Sequence, residues 1–127
     1  MNKPEIGMYV RTESGTISKF ERYITDKKRV CETDMFVMLA VDSIVKASFD
    51  IIDLIEVGDI LLLFDKEFGK KYKVEVMGDR DYSKTVVNYE QNDLLNLEYE
   101  LITNEHIELL EILTEEQFES MSYRIGE

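Results

Sequence analysis

The chain offers two residues that chemistry would single out first, His106 and Cys31, each the sole residue of its type. A histidine can act as general acid or base, but only where a nucleophile and an orienting group converge on it. No spacing around Asn104-Glu105-His106 supplies such partners, so His106 reads as a loop or strand-start residue. Cys31 follows Lys28 and Arg29, whose charge could stabilise a thiolate. No nucleophile motif surrounds it, however, and a structural thiol is the expectation. One Cys and one His also cannot assemble a structural zinc site of Cys/His type. The sequence therefore assigns no catalytic residue, metal ligand or cofactor.

Two further patterns imitate known chemistry. Asp79-Arg80-Asp81-Tyr82-Ser83, with Glu90 twelve positions in, places oxygens where a calcium loop would. Position six of that loop needs glycine for its sharp turn and holds Lys84 here, so a hairpin is favoured. Lys27-Lys28-Arg29 and Lys70-Lys71-Tyr72-Lys73 are the basic clusters. A nucleic-acid groove pairs such cations with stacking aromatics, yet the chain carries a net charge of −12. That field repels phosphate backbones and anionic lipid surfaces, so direct nucleic-acid and membrane binding are disfavoured. Gly58 and Gly69 open onto no helix and match no phosphate-cradling motif.

The negative charge has a location. Residues 1–89 hold 14 basic against 16 acidic residues, whereas residues 90–127 set Arg124 alone against 11 carboxylates. Within that last third the acids alternate with apolar residues, unlike the uniform block of a disordered tail. Glu98, Glu100, Glu108, Glu111, Glu115, Glu116 and Glu119 are thus candidates for an ordered acidic surface, with Leu97, Tyr99, Leu101 and Ile107 turned inward. The plain reading is a solvated face. The sharper one is a surface that docks into a basic protein groove in place of nucleic acid.

The elements that would carry these residues are mostly strands. Ile6–Thr12, Thr16–Phe20, Met35–Leu39, Ile44–Lys46, Ile60–Phe64, Tyr72–Val76, Thr85–Tyr89 and Leu97–Leu101 alternate or concentrate β-formers. Gly78–Asp81 reads as a polar turn. Ile107–Leu113 leans to strand, although Ile107, Leu110 and Leu113 also fall at helical spacing. Thr114-Glu115-Glu116-Gln117 has the form of a capping box and predicts a short helix over 115–121.

The fold class expected is therefore mainly β with a short C-terminal helix, in a single compact domain spanning 1–127. Glu5–Val10 with Gly15 echoes Glu56–Leu61 with Gly69, each a glycine-opened apolar strand followed by a glycine turn. Small SH3-like or KOW-like barrels begin in this way, so two barrel-like modules, 1–50 and 51–127, are the alternative. The opening residues lack an apolar signal core and Cys31 has no disulfide partner, which leads us to expect a reducing cytoplasm.

Three segments resemble a family of small uncharacterised proteins encoded by phages and prophages of Gram-positive bacteria. They are Glu5-Ile6-Gly7-Met8-Tyr9-Val10-Arg11-Thr12, Ile51-Ile52-Asp53-Leu54-Ile55-Glu56-Val57-Gly58-Asp59 and Leu113-Thr114-Glu115-Glu116-Gln117-Phe118-Glu119-Ser120-Met121. The resemblance implies an accessory product of a mobile element in a bacterial host cell, and it carries no catalytic residues across. The stretch 64–104 departs from it. With the acidic last third, it leads to the expectation of a non-enzymatic inhibitor of a host factor, anti-CRISPR-like in action. The alternatives are a barrel that sequesters a signalling nucleotide through Arg11, Lys70, Lys71 or Arg80 with Tyr72 or Tyr82, and a structural or regulatory phage protein. A homo-oligomer is compatible with each.

Overall fold

The computed structural model describes residues 4–34, 38–80, 83–88, 93–97, 101, 103–117 and 121–125. The protein is mainly β, built from antiparallel pairings, and divides into two compact units, Met1–Ile55 and Glu56–Glu127.

The first unit contains β1 (Tyr9–Thr12), β2 (Ile17–Tyr23), β3 (Val30–Thr33), β4 (Met38–Ala40) and β5 (Ile44–Ser48), in the order β4-β3-β2-β1-β5. Gly15 takes φ +84° between β1 and β2, a conformation that glycine adopts without strain. β2 has a register shift between Phe20 and Arg22, so it pairs with β1 by its first half and with β3 by its second. Alternation along these strands turns Val10, Phe20 and Cys31 inward, where Val41 and Ile44 complete a core. A 3-10 turn, η1 (Val41–Ser43), joins β4 to β5, and a second, η2 (Ile51–Leu54), follows β5. Asp50 caps η2 by accepting the Ile52 N–H at 3.1 Å.

The second unit has the strand order β11-β10-β6-β7-β8-β9, with β6 (Ile60–Asp65), β7 (Lys70–Arg80), β8 (Ser83–Asn88), β9 (Asp93–Asn96), β10 (Ile107–Leu113) and β11 (Tyr123–Arg124). Tyr123, Ile112, Leu61 and Val74 form one row across four strands, and Val76 with Val86 forms part of the next. All six are buried, and they make the inner face.

Several expectations change. Ile6–Met8 precede the first strand, because Gly7 bends the chain with φ +93°. Of the buried strand expected at 35–39, Met38 is 69% exposed, and 35–37 lie outside the described residues. Ile51–Leu54, whose apolar residues alternate only in part, wind into η2. Gly78–Arg80 are strand, not turn, and Asp79 pairs with Lys84 and Arg80 with Ser83 in a hairpin. β9 ends at Asn96, so Leu97 falls after the strand instead of opening one. Glu115–Gln117 form a turn, not the start of a helix, and the Gln117 N–H donates to the backbone carbonyl of Thr114 at 3.0 Å. The chain must reverse there, because Tyr123 returns to pair with Ile112. Residues 118–120 of that expected helix lie outside the described residues.

Candidate functional site

Of the seven expected carboxylates, Glu98, Glu100 and Glu119 lie outside the described residues. Glu108 and Glu111 stand on β10, three positions apart, a spacing that would normally put them on opposite faces of a strand. They share a face because β10 carries a bulge. Leu109 pairs with Leu63 and Glu111 with Leu62, leaving Leu110 as an extra residue. Glu108 therefore stands opposite Phe64, and Glu111 opposite Leu62, on the outer side of the sheet. Glu108 is exposed and Glu111 half-buried.

The same outer face continues onto β7. Phe64 pairs with Lys71, Leu62 with Lys73, and Ile60 with Glu75. Reading across three strands, the rows are Glu108–Phe64–Lys71, Glu111–Leu62–Lys73 and Leu113–Ile60–Glu75. Ile60, Leu62, Lys73, Glu111 and Leu113 line a shallow depression in it. Sequence reasoning weighed Lys71 and Lys73 only as part of a basic cluster, Lys70–Lys73. Their alternation around Tyr72 was the signal that both point to one side of a strand.

Glu111 is not a bare charge. Arg124 on β11 pairs beside it, and the Ser122 hydroxyl donates to its Oε1. Glu115 and Glu116 are exposed in the turn beyond β10. That turn is held from below by Asp59, a residue sequence reasoning passed over. Its carboxylate is fully buried and accepts the Glu56 N–H at 2.8 Å through Oδ2 and the Glu115 N–H at 3.2 Å through Oδ1. Gly58 beside it takes φ +98°, and a Cβ there would sit 2.6 Å from Glu115 Oε2. The glycine is what lets the Glu115 side chain close over this corner.

The remaining candidates do not gather. Cys31 is buried in the core of the first unit, and burial pushes its thiol up, against thiolate chemistry. His106 is exposed. Its backbone N–H donates to Asn104 Oδ1 at 3.0 Å, and its carbonyl accepts from Lys66 at 2.7 Å. Arg11, expected as a phosphate ligand, is 1% exposed and donates from Nη1 to the Leu54 carbonyl at 3.0 Å. Lys70 and Lys71 are exposed and Tyr72 half-buried, while Tyr82 and the Arg80 side chain lie outside the described residues. Among the described residues there is no group of three or more His, Cys, Asp or Glu that could hold a metal ion, and no helix long and apolar enough to cross a membrane.

No protein-family model matches the chain, and no curated protein or solved structure matches it.

Proposed function

We propose that this chain is a non-enzymatic binding module, a phage or prophage accessory protein that occupies a basic groove on a host protein such as a defence nuclease. The observation that carries this reading is the bulge at Leu110, which brings Glu108 and Glu111 onto one outer face beside the Glu115–Glu116 turn. Carboxylates presented from strands and turns stand in for phosphates without needing a reactive group. Glu98, Glu100 and Glu119 extend the same acidic third of the chain. Association driven this way is fast and weakens as salt screens it. The site of action is the bacterial cytoplasm.

The test is a tagged pull-down from a Gram-positive host at low and high salt, comparing the native chain with one carrying Gln at Glu108, Glu111, Glu115 and Glu116. Capture of a basic nuclease by the native chain at low salt, reduced in the Gln variant, is the expected result. Unchanged capture and unchanged salt dependence in the variant would refute the reading.

We further infer that the first unit is an SH3-like barrel. The support is its strand order, in which β5 returns to pair with β1, together with η1 between β4 and β5 and the bend in β2 that shares it between two pairings. A fold of this kind hosts many functions, so it accords with a binding role without dictating one.

A further inference from the structure

The outer face of the second sheet carries opposite charges on either side of an apolar strand. β10 supplies Glu108 and Glu111, β7 supplies Lys71 and Lys73, and β6 between them supplies half-buried Phe64, Leu62 and Ile60. We propose that this face docks a second copy of the chain, face to face, about a two-fold axis running along β6.

The argument is one of symmetry. A two-fold rotation about an axis lying along β6 keeps each position along the strand and exchanges its two flanks. Glu108 of one copy then meets Lys71 of the other, and the reverse contact occurs at the same level. Glu111 meets Lys73 one row further along, while Phe64 and Leu62 meet their own equivalents on the axis. An isologous interface requires such self-complementarity, in which residue i meets j and j meets i. In the third row Glu75 meets Leu113, so the charge match belongs to the first two rows. The second row is tempered by Arg124 and Ser122 beside Glu111, which leaves Glu108 with Lys71 as the decisive pair. Sheets that pack face to face bury their apolar rows in this manner. The contact uses Glu108 and Glu111, the carboxylates offered to a host groove, so the second copy and the host protein compete for this face; failure of the dimer would leave the proposed function standing.

The test uses the purified full chain in sedimentation equilibrium, with circular dichroism and thermal unfolding to verify that each variant folds. The native chain is expected to dimerise. Lys71→Glu alone faces acid with acid, Glu108→Lys alone faces base with base, and each is expected to weaken dimerisation about tenfold or more. Mixing the two single variants restores both contacts in trans, because the first variant is acidic at both positions and the second is basic at both. Native mass spectrometry is expected to find the mixed dimer in excess over either homodimer. A native chain that stays monomeric overturns the proposal. So do single variants that dimerise as the native chain does, or a mixture that forms no excess of mixed dimer.

Discussion

The carboxylate of Asp59 accepts the backbone N–H of Glu115 at 3.2 Å, tying together two turns 56 residues apart in the chain. Its other oxygen takes the Glu56 N–H, so one buried side chain holds both the entry to β6 and the exit from β10. Replacing Asp59 by Ala orphans both donors and is expected to cost about 2–3 kcal/mol, while Asn keeps one acceptor and costs about half as much. Urea midpoints at constant slope would measure this. Equal losses for the two variants would show that the carboxylate does not act through both oxygens.

Arg11 makes the corresponding link in the first unit, from β1 to the Leu54 carbonyl that ends η2. A buried guanidinium cannot be removed without leaving volume unfilled and an acceptor unpaired. Arg11→Ala is therefore expected to destabilise the chain by about 3 kcal/mol or more. If Arg11 were instead a ligand-binding residue, the variant would keep its thermal stability and lose only binding.

Ser18 presents the opposite case. It pairs with Val10, is fully buried, and its hydroxyl has no hydrogen-bond partner among the described residues. An unmet buried hydroxyl is a net cost of folding. Ser18→Ala is expected to raise stability by about 1 kcal/mol, read as a higher urea midpoint. A clear loss would mean that the hydroxyl has a partner in solution.

Cys31 and Tyr23 give the fold a dependence on alkaline pH. Burial pushes the Cys31 thiol above its ordinary range, with a backbone hydrogen bond at Leu39 acting in the other sense. Tyr23 is raised by burial first, then by the nearby Cys31 and Glu5. Both groups are held in their neutral form, so the stability they contribute is complete below the ordinary thiol pKa. It is lost as pH rises through the raised folded values, because the unfolded chain ionises first. Urea midpoints are expected to fall above about pH 9, and Cys31→Ala should flatten the first part of that fall. Alkylation of Cys31 in the native protein should proceed only as fast as the core opens.

The sequence conveyed the β class because its strands obey simple alternation. Tyr72–Val76 shows this best, with Val74 and Val76 inward and Lys73 and Glu75 outward. It conveyed β10 less clearly, and the bulge explains why. An extra residue inserts a spacing of three into a period of two, and three is also the helical signal. Gly78 misled for a similar reason: it follows a register shift within β7, where a break in alternation resembles a turn. The Glu115–Gln117 turn was misread because Thr114-x-x-Gln117 carries the letters of a cap, while the pairing of Tyr123 with Ile112 overrides them. As for the site, the charge count found Glu108 and Glu111 but not the lysines across from them. Two flanks of one face come from strands some forty residues apart, and no local pattern encodes that register.

Because Leu110 has no partner of its own on β6, the strand is one residue longer than its ladder requires. That surplus gives β10 a tolerance that neighbouring strands lack. Losing Leu110 would straighten the strand against β6, with Glu108, Glu111 and the inward Ile107 and Ile112 each keeping their side, and would cost only the Ile125 N–H bond that its carbonyl accepts at 2.8 Å. A deletion within the unbroken run of β6 has no such slack and would turn the rest of that strand inside out. Length variation along this pair of strands is therefore confined by geometry to a single point, and that point lies between the two carboxylates.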